Sequence, residues 1–165
     1  MIIDNQFQTP KAVCDYMVSM IPKNAVSVFE PTPGQGNLLT ALEEQNQYKI
    51  YTCEDFFLHD NKKKYDCIIM NPPFSSNNAY MVNAPINAET RGMKIGYYIL
   101  KECMKMSNEI IALMPWYTIA DSDVRLNFLK SYGIVSLTAL PRKTFKYARI
   151  QTCVMQLRNG YTKPT

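Results

Sequence analysis

The chain has 165 residues, 47% of them apolar and 19% charged, a balance that suits one globular domain with a sizeable core and excludes disordered or collagen-like compositions. No apolar run approaches the ~18 residues of a membrane span, and the opening MIIDNQFQTPKAV lacks the three regions of a secretion signal, so a cytoplasmic, non-membrane protein with a single domain over residues 1–165 is expected. The net charge of +4 hides an asymmetry, because residues 1–123 hold 10 Lys/Arg and all 14 acids whereas residues 124–165 hold 8 Lys/Arg and no acid; the C-terminal part is built to meet a polyanion or, more plainly, to be a solvated basic face.

The predicted elements alternate between helical and strand patterns, the signature of an α/β sheet. Thr9-Pro10 opens KAVCDYMVSMI, with apolar residues at 13, 16, 17, 20 and 21; Thr suits a helix cap and Pro the first helical position. A strand over 25–30, a turn and helix over 34–47, a strand over 48–54 and a buried strand over 65–70 follow. Residues 75–92 are rich in Asn, Ser and Ala without a period and read as a long loop. Beyond it, KIGYYILKECMKMS reads as a helix, 109–114 as a strand, and DSDVRLNFLKSYG as a helix with an Asp or Ser cap and Gly133 at its end. The runs 134–140 and 152–157 read as strands, antiparallel neighbours at one sheet edge. The five cysteines, at 14, 53, 67, 103 and 153, are odd in number without a CxxC pair, which speaks against a zinc site and against a disulfide framework. The single histidine, His59, excludes a His-rich metal centre.

Two runs carry chemistry. Glu30-Pro31-Thr32-Pro33-Gly34-Gln35-Gly36-Asn37 follows a strand and opens a helix; its glycines let a backbone approach a ligand, and the helix start offers free N–H groups. A carboxylate at the strand end would repel a pyrophosphate but attract a cationic amino group. That favours S-adenosylmethionine over a dinucleotide. The second run, Asn71-Pro72-Pro73-Phe74, ends the strand over 65–70. Its prolines stiffen the turn and present the Asn amide and the Pro72 carbonyl outward. Those two oxygens can accept both hydrogens of an –NH2 group, and Phe74 offers a face for a flat base. Ligands of open parallel sheets bind where both runs fall, at the strands' carboxyl ends.

With these residues in view, the chain resembles the amino-methyltransferases that carry an NPPF or NPPY signature, especially phage and plasmid DNA adenine-N6 methyltransferases. The resemblance implies a Rossmann-like S-adenosylmethionine-dependent methyltransferase fold and transfer, without metal, to a flipped-out or single-stranded adenine. Phe7-Gln8-Thr9-Pro10 resembles the F-x-T-P segment that folds over the cofactor. Glu30, Pro31, Gly34, Gly36 and Asn37 match the cofactor loop, Asp55-Phe56-Phe57 resembles the D-F-L segment that receives the cofactor's adenine, and Asn71, Pro72, Pro73 and Phe74 match the catalytic motif.

Two departures qualify the resemblance. Only 35 positions separate Gly36 from Asn71, enough for one helix and one full strand, so the family's second helix and one strand are expected to be missing. Glu54 would then serve the ribose and Asp55 the adenine. The chain also leaves no room for a separate target-recognition domain, so specificity would come from residues 75–92, from another subunit or homodimer partner, or from the basic tail. There Arg142, Lys143, Lys146 and Arg149 alternate with Phe145 and Tyr147, a pattern that can hold phosphates and stack bases of DNA or RNA. An RNA adenine methyltransferase, a protein-glutamine methyltransferase and a non-catalytic nucleic-acid-binding subunit share parts of this pattern.

Overall fold

The computed structural model of the protein describes residues 8–74, 83–85, 94–145 and 150–165. Its strands are β1 (Ser27–Glu30), β2 (Lys49–Thr52), β3 (Cys67–Met70), β4 (Glu109–Pro115), β5 (Ile134–Leu140) and β6 (Thr152–Arg158), and its helices are α1 (Lys11–Ser19), α2 (Asn37–Glu44), α3 (Lys94–Cys103), α4 (Tyr117–Ala120) and α5 (Asp123–Tyr132). The strands form one sheet in the order β2-β1-β3-β4-β6-β5. Strands β1 to β4 run parallel, and β6 runs antiparallel to both β4 and β5. The expected antiparallel pair at one edge is therefore present.

The sheet is covered on both faces, which explains why β3 and β4 are buried along their whole length and read as continuous apolar runs. Along β3 the side chains alternate. Ile68 and Met70 join Phe29, Ile95, Ile99, Leu100 and Leu129 on the face covered by α3 and α5. Cys67 and Ile69 join Val13, Met17, Leu38 and Leu42 on the face covered by α1 and α2. Each such large side chain, taken fully out of water, contributes roughly 1.5–3 kcal/mol.

Between Gly36 and Asn71 lie α2, β2, a short 3-10 turn over Phe56–Leu58 and β3; only β2 stands outside β1 in the sheet, as the spacing predicts. Several boundaries move. Strand β1 begins at Ser27 rather than 25 because the N–H groups of Val26 and Ser27 donate to the Asp66 carboxylate, at 2.9 and 2.8 Å, instead of to a neighbouring strand. Strands β2 and β3 are likewise shorter than 48–54 and 65–70. At α1 the cap is Pro10, whose carbonyl accepts the N–H groups of Val13 and Cys14; the Thr9 side chain makes no cap. Helix α5 behaves as expected: the Ser122 hydroxyl accepts from the Arg125 N–H at 3.2 Å. Gly133 follows at φ +130°, where a Cβ would lie 2.2 Å from the Arg158 carbonyl. The short helix α4 has no counterpart in the sequence reading, since four residues leave no period to detect.

Candidate active site

The two chemical runs come together because β1 and β3 are neighbours, about 5 Å apart across the ladder, and both end at the same edge of the sheet. Glu30 closes β1 and is 1% exposed. Its Oε1 accepts the Thr32 N–H at 2.7 Å and the Thr32 hydroxyl at 3.3 Å, while Oε2 is buried with no hydrogen-bond partner. Burial pushes the carboxyl up to about 8, against the opposing pull of the two Thr32 bonds. A buried acceptor left open in this way would be satisfied by a cation or a strong donor.

From Glu30 the chain turns through buried Pro31 to Gly34 and Gly36, at φ +53° and +86°. Both angles lie in the left-handed region that only glycine adopts without strain. Gly36 is the cap of α2, and Asn37 is its first residue. The Asn37 Nδ2 donates to the Thr9 carbonyl at 3.0 Å, and Pro10 stands half-buried beside it in sequence. The 52–55 stretch is tied to the same corner: the Thr52 hydroxyl donates to the Glu30 carbonyl at 2.9 Å and the Cys53 thiol to the Pro31 carbonyl at 3.3 Å.

Glu54 is exposed and Asp55 half-buried. Asp55 heads the 3-10 turn: its Oδ1 accepts the Phe57 N–H at 2.9 Å, and its Oδ2 accepts Asn83 Nδ2 at 2.7 Å. Half-buried Phe56 lies edge-on to Phe57, with ring centroids 5.6 Å apart. The Asn83 contact, invisible in the sequence, brings that one residue to Asp55, the residue that the resemblance assigns to the cofactor's adenine.

At the end of β3, Asn71 is half-buried and Pro72 buried. Asn71 Nδ2 donates to the Thr9 hydroxyl at 2.8 Å, so the segment before α1 touches both the run after β1 and the turn after β3. Pro73 is half-buried, and Phe74 is 5% exposed; a base reaches that ring only if the residues covering it move. Gly96, on α3, is a residue the sequence reading missed. A Cβ there would stand 2.8 Å from the Pro73 carbonyl and 3.4 Å from Pro72 Cγ, so glycine lets α3 lie directly against the proline turn. The signal was a glycine inside a helical pattern, which calls for a packing reason.

The basic segment is on the same edge. Strand β5 runs parallel to β4, so its carboxyl end leads Pro141, Arg142 and Lys143, all exposed, out beside the site. Three strand spacings separate β3 from β5, about 14 Å. Phe145 is 3% exposed and packs with Val13, Leu38 and Val154; its ring belongs to the core and cannot stack on a base. Phe7, Lys146, Tyr147 and Arg149 lie outside the described residues, as do residues 75–82 and 86–92. Among the described residues, two further buried hydroxyls lack partners, Tyr117 Oη and Thr152 Oγ1; Tyr117 follows the end of β4 and Thr152 opens β6, where it is the register partner of Pro115. Among the described residues no helix is long and apolar enough to cross a membrane.

The chain has the Rossmann-like fold of S-adenosylmethionine-dependent methyltransferases. It superposes on the methyltransferase subunit of a type I restriction-modification system from Streptococcus thermophilus with a TM-score of 0.69 at 17% identity, over 95% of this chain and 46% of that one. A candidate class I S-adenosylmethionine-dependent methyltransferase from Listeria monocytogenes gives 0.67 at 16% identity, over 100% and 65%. The 23S rRNA methyltransferase ErmE gives 0.56 at 12% identity, over 93% and 69%. The chain thus spans less than half the length of the restriction-modification subunit. No family model and no curated protein matches the sequence.

Proposed function

We propose that the protein is an S-adenosylmethionine-dependent methyltransferase that methylates the exocyclic amine of adenine in DNA. The observation that carries this reading is the pairing, on adjacent strands, of an open buried carboxylate oxygen at Glu30 with the rigid Asn71-Pro72-Pro73 turn. Glu30 Oε2 fits the ammonium of the cofactor's methionine end, because a cation there both satisfies the acceptor and favours its charged form. Pro31, Gly34, Gly36 and Asn37 would line that end together with Phe7, Thr9 and Pro10. Glu54 would take the ribose hydroxyls, and Asp55 with Phe56 the adenine ring. When bound, the cofactor supplies an electrophilic methyl group.

The chain's own task is to hold the amine. The Asn71 carboxamide oxygen and the Pro72 carbonyl accept its two hydrogens and leave its lone pair free to react, the prolines keep both acceptors in fixed geometry, and Phe74 would lie against the base once the residues covering its ring move. Arg142 and Lys143, with Lys146, Tyr147 and Arg149, would meet the phosphates and bases. Adenine within a duplex must leave the stack to reach the turn.

The DNA assignment rests on the basic C-terminal part and on similarity to a restriction-modification subunit; similarity to ErmE supports RNA as the second reading. The Streptococcus thermophilus neighbour is a subunit of a restriction-modification system, which supports a partner subunit for this chain as well. The test is transfer of a labelled methyl group to duplex DNA, single-stranded DNA and RNA, followed by digestion to nucleosides. Label in N6-methyladenine from DNA is expected. Label confined to RNA would replace the substrate, and label in protein or cytosine would refute the adenine assignment.

A further inference from the structure

The sheet edge at the site is stepped. Strand β3 ends at Met70, whose ladder partner is Ala112, while β4 runs on through Leu113, Met114 and Pro115. At about 3.3 Å per residue, β4 therefore stands roughly 10 Å beyond the point where the Asn71 turn leaves the sheet. Strand β6 backs that wall: Thr152 pairs with Pro115, and the Trp116 N–H donates to the Gln151 carbonyl at 2.8 Å. Helix α4 starts there, with Trp116 as its cap. Arg125 ties α4 to α5, its Nε and Nη2 donating to the Thr118 and Tyr117 carbonyls at 2.8 Å each. Trp116 is thus held from both sides, on β6 and on α5.

Trp116 is the chain's single tryptophan. It is half-buried and packs in part against the core cluster on the face covered by α3. The proline turn leads to that same face, because the Pro73 carbonyl lies against the backbone of Gly96 on α3. A base that leaves a duplex, or arrives single-stranded, has lost a stacking neighbour and gains by finding another flat ring. Phe74 is 5% exposed, so its ring is reached only after its cover moves, whereas part of Trp116 is already open to solvent at the step.

Resting on the reading of the Asn71 turn as the place where a base amine is held, we infer that Trp116 is the face on which the displaced target base stacks. Stacking is indifferent to which base is present. Trp116 therefore supplies affinity for an unpaired base, and the choice among bases falls to the acceptors of the Asn71 turn. The fixed backbone around Trp116 gives α4 its role, since a site on rigid elements keeps its geometry.

The test uses the full chain and the nucleic-acid strand that wild type methylates, prepared intact and with an abasic site at the methylated position. Because Trp116 is the only tryptophan, fluorescence excited selectively at the indole reports this residue alone. With S-adenosylhomocysteine bound to prevent turnover, the intact strand at saturation should quench that emission strongly and the abasic strand much less. Equal emission with the two strands overturns the inference. Trp116→Leu, which keeps an apolar group on the core and removes the flat ring, should lower kcat/KM for the strand on the order of tenfold, the effect of losing one base–aromatic stack. The cofactor Kd should stay within about twofold, and Trp116→Phe should recover most of the loss. A residue that only packs the core would lower thermal stability in both variants and leave kcat/KM of the folded protein unchanged, a result that overturns the inference. A wild type that binds cofactor but methylates no nucleic acid overturns the functional reading and this inference together; an active wild type whose emission does not distinguish the two strands overturns this inference alone.

Discussion

Two buried glutamates stand at opposite ends of the same sheet, and their surroundings differ in the way that separates structure from function. Glu109, at the start of β4 and 5% exposed, is closed on every side: Arg158 Nε and Nη2 donate to its two oxygens at 2.7 and 3.1 Å, and Gln156 Nε2 donates at 2.9 Å. The cluster joins β4 to β6, and the bond to Glu109 raises the Arg158 guanidinium above its ordinary value. Glu30, at the end of β1 and 1% exposed, has one oxygen bonded to Thr32 and one bonded to nothing. A buried carboxylate destabilises a fold unless its hydrogen bonds are made. The fold satisfies that condition at one end of the sheet and leaves it open at the end where the conserved geometry of α/β sheets puts ligands.

The contrast can be broken at either end. The largest effect belongs to the site: Asn71→Ala should reduce kcat by about a hundredfold or more, because an orienting group is lost from the amine, while calorimetry should find cofactor affinity nearly intact. Next, Arg158→Ala should lower unfolding free energy by about 2 kcal/mol in a urea titration, since Glu109 loses its main partner and keeps only Gln156; activity at a temperature where the variant is folded should change little. Glu30→Gln should separate affinity from stability. Cofactor binding should weaken at least about tenfold with loss of a charge-assisted contact, yet the variant should be more stable than wild type at pH 8.

The sign follows from the shift. The Glu30 carboxyl is raised from 4.5 to about 8 in the folded chain, so the folded state holds the proton more tightly than the unfolded state does. Its contribution is fully present below pH 4.5 and is lost as pH rises through about 8. Thermal scans of wild type against Glu30→Gln across that window should show the gap opening in favour of glutamine as pH rises; parallel curves would mean the carboxylate is not held as described. A smaller effect is expected from Gly96→Ala, a several-fold fall in kcat as α3 is pushed off the Pro73 carbonyl. The smallest belongs to Tyr117→Phe: its hydroxyl has no partner, so stability should be unchanged or rise by about 1 kcal/mol.

Much of this was legible in the sequence because it is local. The apolar runs of β3, β4 and β6, the Ser122 cap and Gly133, and the two motifs at strand ends are set by neighbours within a few residues, and even the missing strand could be counted from the distance between Gly36 and Asn71. What escaped is non-local. Thr9 reads as a helix cap because Thr before Pro usually is one, but its hydroxyl is taken by a residue 62 positions away. The Asp55 to Asn83 bond joins two loops with no shared period, and Phe145 reads as an interface ring because its neighbours are basic, although it fills the core under β6. Gly96 stands in a helix for the sake of a carbonyl on another element. Such contacts are decided by how the sheet is ordered, which no window of sequence contains.

The central claim, that the open oxygen of Glu30 is the anchor for the cofactor's cationic end, is tested most directly by titrating wild type and Glu30→Gln with S-adenosylmethionine at pH 7 in buffers of different ionisation enthalpy. The account predicts wild-type binding accompanied by proton release, as a carboxyl held near 8 is drawn to its charged form, with both the affinity and the proton release lost in Glu30→Gln. Equal affinity in the two proteins, or wild-type binding without proton release, would contradict it.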